Sequence, residues 1–342
     1  MVMASRPVGR VELTLSGMFS AEPATVTGRG YAHLFQMGEV YEGLENTDRQ
    51  HPHDLFSQLA VVMRVPLGEG AGVTVAAAPV GEATLGPVAF MHRASAADNP
   101  SSPLAHHTLD STHIATGVVA LGFDAGPWTI EASAFRGREP DEKRWDVKPG
   151  TLDSGAARIW FRPSNEWIAQ VSWGYLTQPE QLIPGDVKRT TASLSWTRGP
   201  LAFSGMYGQN ERKYSQSRAY VGELALTLGK ETVYARGERL QIETEHLLFP
   251  QIVHQPHAGE LVDWLSAITI GGVHDFWSGS GRPTLGVGAD FGTYGVPYRL
   301  QPFYGTKPFS FHVFLRVRPP AGHMGRMVNT TMLRPMAGHG MN

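Results

Sequence analysis

Apolar and polar residues alternate with a period of two over most of the chain, and helical periodicity is nearly absent. Around residue 130, for example, Trp128 and Ile130 fall on one face while Thr129 and Glu131 fall on the other. Because successive side chains of a strand point to opposite faces, this pattern is typical of strands with one apolar and one polar face. About fourteen such segments, or fifteen if residues 2–6 pair with residues 10–20, are each long enough to cross a bilayer at a tilt.

The connections between these segments alternate in length. Short turns such as DAGP, RPSNE and TRGP are interleaved with longer loops at 21–54, 83–111, 138–152, 177–186, 210–218, 242–261 and 293–307. An up-and-down barrel with short periplasmic turns and long outer loops produces this alternation, whereas a propeller or sandwich does not require it. We therefore predict an all-β fold, a single antiparallel transmembrane β-barrel of 14–16 strands over residues 1–318. A soluble β-rich protein is the alternative fold.

The polar strand faces carry charged and amide side chains at mid-strand. Such groups would be costly against lipid, so we expect them to face the lumen. The predicted lumen-facing residues are Arg64, Glu131, Arg158, Gln170, Glu223, Arg236 and Glu238.

Aromatic residues flank the short turns and predict a girdle at one membrane interface. The predicted girdle contains Phe123, Trp128, Phe161, Trp167, Trp196, Phe203, Tyr234 and Phe276.

Composition narrows the class of partner. The 31 acidic and 29 basic residues nearly cancel, which argues against a nucleic-acid partner and leaves outer-membrane lipid as the expected one. The absence of cysteine excludes disulfides and thiolate chemistry. No apolar run approaches the length of a transmembrane helix, which barrel strands do not need. The first residues, MVMASRPVGR, lack the features of a signal peptide, and we expect the natural protein to begin upstream.

Several loop motifs resemble an uncharacterised family of bacterial outer-membrane proteins often found beside heavy-metal, particularly copper, resistance genes. The motifs are DRQHPHDLF (Asp48–Phe56), APVGEATLGPVAFMHR (Ala78–Arg93), DNPSSPLAHHTLDSTHI (Asp98–Ile114), GREPDEKRWD (Gly137–Asp146) and WGYLTQPE (Trp173–Glu180). The resemblance extends from about Val2 to about Arg318 and implies a secreted β-barrel, with no established activity and no catalytic residues. Relative to that family the chain is N-terminally truncated, and the polar tail after its last strand is a departure from the usual barrel terminus.

Histidines are concentrated in two of the predicted outer loops. Six of the 14 histidines lie between His51 and His113, with aspartates beside them. Imidazole and carboxylate together suit Zn²⁺, Cu²⁺ or Ni²⁺, so these loops are a candidate metal site, while hydrogen bonding within the loops is the alternative. The candidate ligands are His51, His53, Asp54, His92, His106, His107, Asp110 and His113.

The tail over residues 319–342 is predicted to be flexible and is rich in methionine and histidine. It holds five of the chain's 12 methionines. Thioether sulfur prefers Cu(I), so the tail is a second candidate for copper capture, and a low-complexity tail without a role is the alternative. Its candidate ligands are His323, Met324, Met327, Met332, Met336, His339 and Met341.

The sequence thus predicts a passive channel or binding barrel linked to copper or heavy-metal homeostasis, with copper as the only cofactor suggested. A structural or adhesion barrel without a small ligand is the second reading. An outer-membrane hydrolase is the third, because Asp110, Ser111 and His113 supply the residue types of a hydrolase triad. Neighbouring strand positions alternate faces and cannot normally form such a triad, so we expect no enzymatic activity.

Overall fold

The computed structural model of the chain describes residues 1–38, 40–249, 257–258, 260–277, 282–318 and 328–334. The alternating segments form fifteen strands of one sheet, which confirms the predicted number. They are β1 Val2–Val8, β2 Val11–Phe19, β3 Phe56–Gly68, β4 Ala71–Gly81, β5 Ala115–Ala125, β6 Trp128–Arg136, β7 Ser154–Phe161, β8 Trp167–Leu176, β9 Val187–Arg198, β10 Leu201–Glu211, β11 Gln216–Leu228, β12 Glu231–Glu243, β13 Val262–Trp277, β14 Thr284–Gly295 and β15 Phe309–Arg318.

Each strand pairs antiparallel with its neighbours in chain order, so the sheet is an uninterrupted series of hairpins from β1 to β15. Ile130 of β6, for example, lies opposite Phe123 of β5 and Ile159 of β7. Because the number of strands is odd, β1 and β15 run in the same direction. Within the described residues neither of these edge strands forms a ladder on its outer side.

Helices are short and confined to the connections. The α-helices are α1 Glu22–Thr25, α2 His106–Leu109, α3 Thr244–Leu248 and α4 Gln301–Tyr304, and 3-10 turns cover Phe90–His92, Ser111–His113 and Tyr298–Leu300. None of the helices in the described part of the chain has the length and apolar character needed to span a membrane.

The outer face of the sheet is apolar, whereas the inner face carries polar and charged side chains together with clusters of buried apolar ones. Leu121 of β5 and Ile130 of β6 are 53% and 55% exposed on the outer face, whereas the adjacent Glu131 is 1% exposed on the inner face. Apolar side chains exposed outward and polar side chains enclosed inward are the arrangement of a transmembrane β-barrel in lipid. Most residues of the predicted aromatic girdle are exposed on the outer face. Tyr234 is instead buried and donates a hydrogen bond from its hydroxyl to Asp290 at 3.2 Å, so its assignment to the girdle was wrong.

A long connection fills the lumen. Residues 82–114, which we call the plug loop, fold inward and bind strands from distant parts of the sheet. Arg93 binds Glu223 of β11 through two nitrogens at 2.7 and 3.0 Å, Glu82 binds Arg158 of β7 at 2.9 Å, and Asp98 pairs with two arginines of β15. Because β7, β11 and β15 all reach one loop, the sheet must curl around it.

Part of the C-terminal tail also lies inside the barrel. Residues 328–334, which we call the tail segment, pass beneath the plug loop: the Asn329 amide donates to the carbonyl of His92 at 2.7 Å, and the Met332 amide donates to Glu82 at 2.9 Å. Met332 is 2% exposed. Residues 328–334 of the tail thus find hydrogen-bond partners for their backbone inside the lumen. The rest of residues 319–342 lies outside the described residues.

The first long connection, residues 20–55, lies over the plug loop, and we call it the first outer loop. It contains two short ribbons, Tyr31–Ala32 paired with Arg49–Gln50 and Val40–Tyr41 paired with Leu44–Glu45. The Tyr31 hydroxyl donates to the carbonyl of Pro100 at 3.0 Å. Two long loops are thus stacked at one end of the barrel.

Candidate metal centre

The structure brings five of the predicted histidines to one small cavity where these two loops meet. His51 and His53 come from the first outer loop, and His106, His107 and His113 come from the plug loop. Asp54 also lines the cavity. Its volume is about 30 Å³, which accommodates an ion or a water molecule and excludes an organic ligand.

Local structure explains how each group of histidines is presented. His51 and His53 flank one residue of extended chain, so both rings point the same way, with centroids 5.8 Å apart. His106 and His107 begin the short helix α2, and His113 ends the 3-10 turn that follows it. The turn brings the centroid of the His113 ring to 5.1 Å from that of His106 and 5.7 Å from that of His53.

Three of these imidazoles are bonded to an oxygen through the same ring nitrogen, Nδ1. The Nδ1 atom lies 3.0 Å from Glu22 Oε2 in His53, 2.7 Å from Asp110 Oδ1 in His106, and 2.8 Å from the backbone carbonyl of Asp110 in His113. Since these oxygens accept hydrogen bonds, each Nδ1 carries a proton, which leaves Nε2 as the ring nitrogen that can bind a metal ion when the ring is neutral. A carboxylate or carbonyl behind the ring is the usual second shell of a metal-ligating histidine.

Two of the Nε2 atoms are enclosed without a hydrogen bond. Those of His53 and His113 are buried and have no hydrogen-bond partner within the described structure. A buried polar atom of this kind costs free energy unless a further group satisfies it. A metal ion in the adjoining cavity would do so.

The ring centroids are spaced nearly as in a metal site, but the ligand atoms are not arranged to hold an ion. Imidazole nitrogens about 2 Å from one tetrahedral ion would place the ring centroids about 5 Å apart, near the observed separations. Within the described residues, however, no group of three or more histidine and acidic side chains is already arranged to hold a metal ion. The three Nε2 atoms would therefore have to move to bind one ion together.

Burial favours the neutral form of the His113 imidazole. It holds the pKa of His113 well below its usual value, so its Nε2 lone pair is available at neutral pH. Burial works to raise the pKa of Asp110, but the hydrogen bond from His106 and the charge of Arg93 hold it well below its usual range. Burial raises the pKa of Asp54 to about 6, against the opposing effect of Arg144.

Some residues around the cavity gave no signal in the sequence. Glu22 lies 31 residues from the histidine that it binds. Arg144, from the loop after β6, binds Asp54 at 3.1 Å, and its carbonyl accepts a hydrogen bond from the Leu55 amide. Glu139 of the same loop lies 3.4 Å from His107. The acidic and basic character of that loop, GREPDEKRWD, could have suggested Arg144 and Glu139, whereas nothing in the sequence pointed to Glu22.

The other predicted ligands lie elsewhere. His92 does not line the cavity, and its Nε2 lies 3.2 Å from the sulfur of Met18. Met332 lies in the tail segment. His323, Met324, Met327, Met336, His339 and Met341 lie outside the described residues.

The predicted lumen-facing residues lie on the inner side of the sheet. Arg158 donates to Glu131 at 2.8 Å, and Arg236 donates to Glu223 at 3.1 Å. Arg64 pairs with Asp124. Gln170 donates to Thr191 and Glu238 accepts from the Ala105 amide, at 2.9 and 3.1 Å.

The residues considered for a hydrolase triad do not form one. Ser111 Oγ accepts a hydrogen bond from Arg189 at 2.8 Å, and the His113 Nδ1 proton goes to a backbone carbonyl. The Asp110 carboxylate is bound by Arg93 and His106. These three residues therefore lack the serine–histidine–aspartate chain of hydrogen bonds.

Neither a model of a known protein family nor a curated protein sequence matches the chain. Solved structures with a similar chain course include OccK5 (OpdH) of Pseudomonas aeruginosa, 9% identical with a TM-score of 0.43 over 93% of this chain and 80% of that one. A porin refined at 1.8 Å resolution is 12% identical with a TM-score of 0.43 over 90% and 92% of the two chains. A loop L8 deletion mutant of OmpT, an outer membrane protein of Vibrio cholerae, is 11% identical with a TM-score of 0.43 over 77% and 89%. These similarities identify no ligand or activity.

Proposed function

We propose that this protein is an outer-membrane barrel that binds one transition-metal ion between its first outer loop and its plug loop. The observation that carries the proposal is the common orientation of His53, His106 and His113, each with Nδ1 bonded to an oxygen and Nε2 left as the ring nitrogen that can bind a metal ion when the ring is neutral. Loop packing alone does not require three rings to be oriented in this way. The same arrangement supports nitrogen ligation by all three.

Copper is the ion that the ligand set favours. Neutral imidazoles bind Zn²⁺, Cu²⁺ and Ni²⁺, and Cu²⁺ binds most tightly to a given set of nitrogen ligands among the divalent first-row ions. A role in copper or heavy-metal homeostasis, as the sequence resemblance implies, is the physiological form of this proposal. The small cavity supports capture of a bare ion over that of an organic chelate.

The filled lumen favours a binding barrel over a passive channel. Solutes would cross only if the plug loop left the barrel, which would separate Arg93 from Glu223 and Glu82 from Arg158. Breaking buried ion pairs without replacing them is strongly unfavourable. Passive diffusion therefore remains a prediction that requires a second conformation of the plug loop.

The proposal is tested by metal affinity. We would titrate Cu²⁺ and Zn²⁺ into the 342-residue chain refolded in detergent, in competition with a chelator of known affinity. His53→Gln, His106→Gln and His113→Gln should each weaken binding at least about tenfold, since even second-shell changes have effects of this size. His274→Gln is the matched control, because His274 is exposed on β13 and pairs with Glu231.

Equal metal affinity of the native chain and of a variant carrying all three glutamine substitutions would overturn the proposal. The histidines would then serve only to pack the loops, and the structural or adhesion barrel would become the better account. A loss of affinity in His274→Gln as large as in the three cavity variants would also count against a specific site.

A further inference from the structure

Methionines interrupt the polar inner face of the first hairpin. Ser5 of β1 and Thr14 of β2 share a hydrogen bond of 2.9 Å on the inner face, so odd residues of β1 and even residues of β2 point inward. Met3 therefore joins Ser5 on β1, and Met18 follows Thr14 and Ser16 on β2. The other even residues of β2 are polar, although apolar side chains, Met206 among them, are also buried on the inner face elsewhere in the barrel.

The register of the hairpin brings the two sulfur-bearing side chains within reach of each other. Met3 lies opposite Ser16, so Met18 is its diagonal neighbour on the inner face. Diagonal neighbours in an antiparallel pair have backbones about 7–8 Å apart, a gap that long side chains span. Methionine has three rotatable bonds and adapts readily to such a gap.

The plug loop adds an imidazole to these thioethers. His92 Nε2 donates a hydrogen bond to Met18 Sδ at 3.2 Å, so an ion bound between them would take the place of this proton, which would then reside on Nδ1. A nitrogen and a sulfur bound to one ion, at about 2.0 and 2.3 Å, are separated by about 3.5 Å at a tetrahedral angle. The observed pair is thus close to the geometry of two ligands of a single ion.

This pair is separate from the histidine cavity. Phe90 packs against the cavity histidines, with its ring centroid 5.7 Å from that of His106 and 6.1 Å from that of His113. His92 comes two residues later in the same 3-10 turn and contacts the barrel wall instead. The plug loop therefore presents imidazoles to two different places.

We infer that Met3, Met18 and His92 form a second metal site, for a soft monovalent ion of the Cu(I) type. Two thioethers and one imidazole make a soft, three-ligand set, which Cu(I) prefers and which suits Zn²⁺ and Mg²⁺ poorly. The outer cavity, by contrast, offers nitrogen and oxygen ligands. The inference does not depend on metal binding at that cavity.

The test uses Ag(I) as a redox-stable substitute for Cu(I). The full chain would be produced with methionine labelled at the methyl carbon, refolded in detergent micelles and titrated with Ag(I) while the methyl signals are recorded by NMR. One equivalent should shift the signals of Met3 and Met18. Met3→Leu, Met18→Leu and His92→Gln should each lower the affinity at least about tenfold. Leucine for methionine nearly conserves volume, so the variants should fold.

Met63 provides the matched control. It lies on β3 and is 44% exposed on the outer face, so its signal should not move and Met63→Leu should leave the affinity unchanged. His53→Gln with His113→Gln should abolish Cu²⁺ binding at the outer cavity and leave the Ag(I) shifts intact, which separates the two proposals. Absence of shifts at Met3 and Met18 in the native chain, or equal shifts at Met63, would overturn the second site even if a variant failed to fold.

Discussion

At the scale of single residues, Arg93 connects the plug loop to the barrel wall. It is fully buried and binds both Glu223 and Asp110, so it links the barrel wall to the histidine cavity. Removing one partner of a buried ion pair costs roughly 3–5 kcal/mol, because the remaining charges stay enclosed. We predict that Arg93→Met lowers the free energy of unfolding by roughly this amount in urea titrations monitored by tryptophan fluorescence.

The control for this prediction is a surface arginine. Arg198 is largely exposed and lies 3.5 Å from Glu166. Exposed ion pairs contribute roughly 0–1 kcal/mol, so Arg198→Met should have a small effect. Similar losses in the two variants would mean that the buried network does not hold the plug loop.

At the scale of elements, a buried histidine joins two outer loops. His246 of α3 lies 2.9 Å from Glu45 of the first outer loop and 3.4 Å from Glu243 at the end of β12. Burial alone would lower the pKa of His246, but hydrogen bonds and charges from Glu243 and Glu45 raise it from 6.5 to about 10. At neutral pH the His246 imidazolium therefore forms ion pairs that hold the two outer loops together.

The sign of the resulting pH dependence follows from this raised pKa. Because the folded-state pKa exceeds the unfolded value of 6.5, the stabilisation is complete below pH 6.5 and is lost as the pH rises to about 10. We predict that His246→Gln is less stable than the native chain at pH 6 and that the difference disappears above pH 10. The midpoints of urea unfolding between pH 6 and pH 10.5 measure this difference in stability. The control His274→Gln, at an exposed position, should differ little from the native chain at any pH. A stability difference between His246→Gln and the native chain that persisted at pH 10.5 would contradict this role of His246.

At the scale of the whole molecule, the plug loop and tail segment decide permeability. The plug loop is fixed to β7, β11 and β15 by buried ion pairs, and the tail segment lies beneath it. We predict that the chain gives no stable, discrete conductance steps in planar bilayers. The lumen stays filled, and among the described residues the outer edges of β1 and β15 form no ladder that would satisfy their backbone in lipid.

A variant of the plug loop and a surface control refine this experiment. Glu82→Gln weakens the contact with Arg158 without adding bulk, and it should make brief openings more frequent if the plug loop can move. Leu67→Val, on the exposed end of β3, should leave the recordings unchanged. Steady channels from the native chain would refute the plugged barrel and restore passive diffusion as the leading function.

The sequence alone determined the strands, their faces and the lengths of their connections. These features are local: side chains alternate every residue, and a turn such as DAGP closes a hairpin without help from distant groups. The inward position of Glu131 and the outward position of Ile130 could thus be predicted from their neighbours. So could the presence of histidines on two long loops, although not their meeting.

Only the tertiary structure decided what those loops do. His53 meets His106 and His113 because Arg93, Glu82 and Asp98 pull residues 82–114 into the lumen, where partners more than 70 residues away neutralise them. The local alternation of polar and apolar residues does not specify such ion pairs, since an acidic residue of a loop could equally remain in water. For the same reason Glu22, Met18 and the tail segment gave no sign of their roles: their partners are set by the curl of the sheet, and that curl is a property of all fifteen strands together.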